Sequence, residues 1–202
     1  MLTASHRTAH SGHGFTTGED NSVEKWKTDR SESLIDTRWV KVRRDAVELP
    51  NGQRIDDFYA ITICDAAAIV ALDDAGNVIL KREYRYCYDR DLIEVPAGGF
   101  EPGEVDGLSV AKRELLEETG YVSDEWQYLG ATVESAAKLT NLIHIYFANH
   151  CRKLSEQHLD ATEALEVFLV PLEQAVNMVM ENEICCNSSA HGILKVARQL
   201  GV

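Results

Sequence analysis

The sequence predicts an α/β chain of the α+β kind: a sandwich of mixed sheet and helices, preceded by a small N-terminal antiparallel sheet. Three observations predict it. Short apolar or alternating runs with strand character recur from Trp39 to Pro171. One amphipathic helix interrupts them between Asp106 and Glu118, and two more close the chain after Pro171.

The elements follow in order. Residues 1–30 are polar and rich in Ser, Thr, Gly and His, and are expected to form a flexible arm. His6, His10 and His13 read as solvated tail rather than as metal ligands. Residues 31–64 hold WVKVRRDAVELPNGQRIDDFYAITI, two strands around a turn at Pro50 to Gly52. Residues 65–202 make the main domain. It starts with a buried apolar strand, AAAIVALD, a turn at Asp73 to Asn77, and a second strand from Val78 to about Tyr84. DLIEVPAGG is a further short strand ending in a Pro/Gly loop. In the helix that follows, Leu108, Ala111 and Leu115 share a face, Asp106 is placed to cap it, and Gly120 stands at its end. WQYLGATVES, NLIHIYFANHC and ALEVFLVPL read as strands, and LEQAVNMVMENEI and SAHGILKVARQLG as helices.

Composition narrows the function. The chain has 202 residues, 45% of them hydrophobic, enough for a real core. Its net charge of −13 argues against nucleic acid or an anionic membrane as partner, since both need clustered Lys and Arg. An acidic protein still binds an anionic phosphate compound when divalent cations stand between them. The five cysteines include no CxxC pair, so reduced thiols and a reducing compartment are expected, Cys185-Cys186 included. No apolar run approaches the roughly 20 residues of a membrane span, and MLTASHRTAHSGHG lacks a signal peptide's apolar region. The cytoplasm is the expected location.

The informative stretch is GGFEPGEVDGLSVAKRELLEETGY, Gly98 to Tyr121. Glu114, Glu117 and Glu118 fall in the last turns of the helix, where the macrodipole disfavours acids, and Glu114 and Glu118 repel each other across one turn. An Arg113–Glu117 ion pair on a solvated face would account for part of this. However, Glu101 and Glu104 sit in the Gly/Pro loop just before the helix. Loop and helix together can aim the five carboxylates and a backbone carbonyl at one point, the oxygen-rich donor set that hard divalent cations prefer.

This stretch resembles the Nudix box, GX5EX7REUXEEXGU with U a bulky apolar residue. Gly98, Glu104, Arg113, Glu114, Leu115, Glu117, Glu118, Gly120 and Tyr121 match it. Eight residues separate Glu104 from Arg113 where the family has seven, and the extra one falls near Val105 to Gly107. WVKVRRDAVELPNG, VILKREYRY and DLIEVPAGGFEPGE extend the resemblance to the ADP-ribose pyrophosphatase-like branch.

The resemblance implies a homodimer built partly on the N-terminal sheet, and a small-molecule nucleotide-sugar substrate. It implies Mg²⁺, with Mn²⁺ as the alternative, held by the Ala97 carbonyl, Glu114 and Glu118 with help from Glu117. Arg113 would orient the glutamates. Gly98 and Glu101 would line the substrate with Trp39, which matches an adenine-stacking aromatic, and Arg85, which matches a phosphate-contacting arginine. Trp39 also reads as a core tryptophan, and Arg85 as a surface partner of Asp89 or Asp91. The general base would be Glu163, with Glu166 second.

The implied reaction is hydrolysis of a nucleoside diphosphate sugar, ADP-ribose to AMP and ribose 5-phosphate. GDP-mannose, a dinucleoside polyphosphate, or nucleotide sensing without catalysis are the alternatives. The proline typical of ADP-ribose-preferring members is replaced by Ala137.

Overall fold

The computed structural model describes residues 23–159 and 164–202. Eleven strands and three helices follow in the order β1 (Lys27–Asp36), β2 (Lys41–Glu48), β3 (Arg54–Thr62), β4 (Ala66–Asp73), β5 (Asn77–Arg85), β6 (Arg90–Glu94), β7 (Ala97–Gly99), α1 (Gly107–Thr119), β8 (Tyr121–Val122), β9 (Glu125–Thr132), β10 (Ile143–Lys153), β11 (Leu165–Pro171), α2 (Leu172–Met180) and α3 (Asn187–Leu200). A single 3-10 turn at Tyr86–Tyr88 joins β5 to β6.

The small sheet has three strands in the order β1-β2-β3, all antiparallel. The β2–β3 hairpin closes at the expected Pro-Asn-Gly turn, with Leu49 and Gln53 hydrogen-bonded across it at 2.8 Å. β1 begins at Lys27, inside the stretch expected as arm. It is exposed along its whole length, so no apolar alternation marked it as a strand. Most of that arm, with its three histidines, lies outside the described residues.

The main sheet has eight strands, with β11-β5-β4-β10-β8 as its spine and β6, β7 and β9 paired to β5, β4 and β10. β4 and β10 run parallel, the mixed sheet that the sequence predicted. Strand alternation splits β4 between two cores. Ala67, Ile69 and Ala71 pack with Val110, Ala111 and Leu115 of α1. Ala68, Val70 and Leu72 face the other way, onto Ala175 and Met178 of α2 and Ile193, Val196 and Ala197 of α3. The result is an α/β/α sandwich.

Two local features position the site. DLIEVPAGG is not one strand and a loop but two strands that change partner at Pro96, since β6 pairs with β5 and β7 with β4. Proline has no N–H to continue a ladder, and the Pro96 carbonyl accepts from Ile69 N–H at 2.8 Å. The switch brings Ala97 and Gly98 beneath α1. The helix is capped as expected, with the Asp106 side chain accepting from Leu108 N–H and Gly120 left-handed at φ 72°. A Cβ on Gly120 would strike the Ser155 carbonyl, so only glycine lets β8 turn back against β10 here.

Candidate active site

α1 turns its acids in different directions. Glu114 and Glu118 are buried, 8% and 3% exposed, while Glu117 lies at the rim. The solvated-face reading thus holds for Glu117 alone, whose pairing with Arg113 at 3.1 Å is as expected. Nor do the five carboxylates meet at one point. Among the described residues, no three acid, histidine or cysteine side chains form a metal cage by themselves. Four of the five acids, Glu104, Glu114, Glu117 and Glu118, gather around two cations.

The first cation is Arg113. It donates to Glu104 through Nε and Nη2 at 3.2 and 3.0 Å. It also donates to Glu114 at 2.6 Å, to Glu117 at 3.1 Å and to the Gly99 carbonyl at 3.2 Å. The planar fork allows this, and a single ammonium could not satisfy so many acceptors in a fixed geometry. The extra residue falls in the loop between Glu104 and the helix, and Glu104 still reaches Arg113 as a bidentate partner. Glu101 is at the exposed loop tip, and its N–H donates to Glu104 at 2.7 Å.

The second cation is Lys81, which is 1% exposed on β5. Its ammonium pairs with Glu118 and lies 3.2 Å from Glu83 and 3.5 Å from the Ala97 carbonyl. Glu118 also accepts from the Ala97 N–H at 3.0 Å. Burial pushes the Glu118 carboxyl up to about 7, against the pull of Lys81 and the Ala97 N–H toward the charged form. Burial alone would favour a neutral Lys81, but the attraction of Glu118 and Glu83 outweighs it and raises its pKa.

Gly98 completes the corner. A Cβ there would overlap the Glu114 carboxyl group, so the glycine lets that carboxyl lie against the backbone beside Ala97. Ala97, Gly98, Glu114 and Glu118 are thereby brought together.

The outer residues are placed less uniformly. Arg85 is half-buried and bound to Glu94 at 2.5 Å and Glu83 at 3.1 Å; Asp89 instead takes the Tyr84 hydroxyl at 2.8 Å. The expected surface pairing of Arg85 with Asp89 or Asp91 is therefore replaced by these two glutamates. Trp39 is 70% exposed, with the Arg38 guanidinium 4.2 Å from its ring centre, which excludes the core reading. Glu166 is exposed and paired with Arg82 at 3.1 Å. Its partner in register is Arg82, whose side chain leaves β5 on the face opposite Lys81, so it is not brought to the acid cluster. Glu163 lies outside the described residues. Ala137 sits in a loop tied to the small sheet: Ile61 N–H donates to the Lys138 carbonyl at 2.8 Å, and Lys138 Nζ lies 4.4 Å from the Phe58 ring centre.

Lys81, Glu83 and Glu94 escaped the sequence reading. A signal for Lys81 existed. It has the parity of Ile79 on β5, so alternation carries it inward, whereas KREYRY reads at first as a solvated basic run.

This fold, with an arginine-clamped glutamate helix over a Pro/Gly strand switch, defines a Nudix hydrolase. The NUDIX domain profile matches residues 62–184, and the nucleoside diphosphate sugar hydrolase N-terminal domain profile matches residues 26–61. The chain belongs to the Nudix family and is a pyrophosphatase of the ADP-ribose pyrophosphatase-like branch. It is 31% identical over 168 residues to an ADP-ribose pyrophosphatase of Bacillus subtilis, covering 83% of this chain and 90% of the relative. It is also 31% identical over 159 residues to a methanol dehydrogenase activator of Bacillus methanolicus, covering 78% and 85%. A solved structure described as an ADP compounds hydrolase superposes with a TM-score of 0.76 at 22% identity, covering 89% of this chain and 96% of that one, a likeness of fold.

Proposed function

We propose that this chain hydrolyses the diphosphate of a nucleoside diphosphate sugar with Mg²⁺, and that its substrate is ADP-ribose, giving AMP and ribose 5-phosphate. The observation that carries this reading is the meeting of the Ala97 carbonyl, the Glu118 carboxylate and the Gly98-supported Glu114 carboxylate at one buried corner. Those are hard oxygen donors, and an ammonium already rests on two of them, so the corner suits a hard cation. Ala97, Glu114 and Glu118 would hold Mg²⁺, with Glu117 at the rim assisting. When bound, the ions would neutralise the diphosphate and acidify a water molecule.

The chain's own residues do the rest. Arg113 fixes Glu104, Glu114 and Glu117 so that the carboxylates need no reorganisation during the reaction. Arg85 offers a guanidinium at the corner's edge to a phosphate oxygen. Glu163 takes the proton of the attacking water as general base. Trp39, exposed in the β1–β2 connection of the small sheet, offers a face to adenine. The loop carrying Ala137 and Lys138 is anchored to β3, so that loop and the small sheet act as one unit.

β1 is an exposed edge strand over ten residues, with Leu34 and Ile35 among its open side chains, which supports a homodimer through the small sheet. All five cysteines are free, in keeping with a reducing cytoplasm. Among the described residues, no helix is long and apolar enough to cross a membrane.

The test is hydrolysis of ADP-ribose, ADP-glucose, GDP-mannose, NADH and diadenosine polyphosphates, each with and without Mg²⁺. AMP released from ADP-ribose well above the others supports the reading. Preference for another substrate redirects attention to Ala137 and Lys138, and tight nucleotide binding without turnover overturns the enzymatic reading.

A further inference from the structure

We propose that Lys81 is a built-in competitor of the divalent cation: its ammonium holds oxygens of Ala97 and Glu118 that the cation needs, and it withdraws toward Glu83 when the cation binds. The inference rests on the metal site proposed above. It names a positioning residue that tunes that site.

The geometry points to it directly. Lys81 reaches Glu118 and, at 3.5 Å, the Ala97 carbonyl. A divalent cation on the same oxygens would meet the ammonium at close range, where like charges in a poorly hydrated corner repel strongly. Lysine carries its charge on a four-carbon stem and can move it without backbone change. A second acceptor is at hand, since Glu83 lies 3.2 Å from the same Nζ. Glu83 is held in place by Arg85 at 3.1 Å, and Arg85 is itself anchored on Glu94. The charged groups around the ammonium are therefore Glu118 and Glu83 as alternative partners, with Arg85 behind Glu83.

Packing alone gives no reason for a lysine here. Ile79, two residues earlier on the same face, is fully buried in the core under α1, and an apolar residue would continue that core. A buried ion pair of this kind gains little over a well-packed apolar pair. What the ammonium does provide is charge balance for Glu118 in the absence of a divalent ion, together with a threshold concentration below which that ion does not displace it.

The experiment measures Mn²⁺ binding to the full chain by the electron paramagnetic resonance of free Mn²⁺, with melting curves in parallel. Removing the competitor in Lys81→Met should tighten Mn²⁺ binding at least about tenfold. Glu83→Gln, which removes the landing site, should weaken it. If Lys81→Met does not fold, Lys81→Gln and the Glu83→Gln arm decide the matter with the same expected directions. Unchanged or weaker binding in the Lys81 variants, while Glu118→Gln loses Mn²⁺, overturns the competitor and leaves the metal site standing. Equal binding by wild type and Glu118→Gln overturns the metal site and this inference with it.

Discussion

The Glu114 carboxyl group lies against the α-carbon of Gly98, with no room between them for a Cβ. The atoms that a Cβ would strike are the far end of a flexible side chain. Gly98→Ala is therefore expected to move the Glu114 carboxyl rather than the strand. Turnover should fall by about 10–100-fold, the usual consequence of misplacing a catalytic group by about 1 Å. Stability should fall by less than about 1 kcal/mol. Steady-state kinetics and a urea titration on the same sample check both. Full turnover in Gly98→Ala would show that the Glu114 position does not matter to the chemistry.

Arg113 makes five hydrogen bonds to four acceptor groups, and their shared origin is its planar fork. Arg113→Lys keeps the charge and loses the fork. Activity is expected to drop at least about tenfold, with a cost of about 1–2 kcal/mol in stability from acceptors left without donors. A lysine variant as active as wild type would reduce Arg113 to a source of charge.

The contrast between Arg113 and Lys81 also marks what the sequence could convey. Arg113 lies inside a contiguous helical pattern, so its pairing with Glu117 was readable from the i,i+4 relation, while its hold on Glu104 and Glu114 was implied only by the resemblance. The caps of α1 at Asp106 and Gly120 were legible as local signals, whereas β4 read only as a buried apolar strand and its division between two cores shows in the packing alone. Lys81 and Glu118 are far apart in the chain and meet only because β5 runs beneath α1. Likewise the division of Glu104, Glu114, Glu117 and Glu118 between two cations depends on where those cations arrive, which spacing does not encode. The exposed strand β1 had no apolar alternation to betray it. The strand switch at Pro96 is a tertiary outcome, because a proline interrupts a ladder without specifying the next partner.

The Lys81–Glu118 pair predicts a coupled effect on stability. Glu118→Gln leaves Lys81 buried with only Glu83 and should cost about 2–4 kcal/mol. Lys81→Met strands the Glu118 carboxyl and should cost a similar amount near neutral pH. The double variant removes both charges and should recover most of the loss, giving a coupling of about 1–3 kcal/mol by urea unfolding. Strictly additive losses would mean that the two side chains do not depend on each other. Turnover separates the effects, since Glu118→Gln and the double variant should both fall by at least about a hundredfold whatever their stability.

Trp39 makes the sharpest test of substrate recognition because so little else depends on it. Its ring is largely exposed, and the Arg38 guanidinium is the contact over its face. Removing it should leave the melting temperature unchanged. If adenine stacks there, the lost interaction is worth about 1–3 kcal/mol, the range for a base on an aromatic ring. That loss applies equally to the bound substrate and to the transition state, because the adenine is remote from the diphosphate. Trp39→Ala should therefore raise KM for ADP-ribose by about 5–150-fold and leave kcat within about twofold. Trp39→Phe should restore most of the affinity. A rise in KM for every nucleotide tried, adenine-bearing or not, would assign Trp39 to holding the small sheet in place. An unchanged KM for ADP-ribose would move the adenine site elsewhere on that sheet.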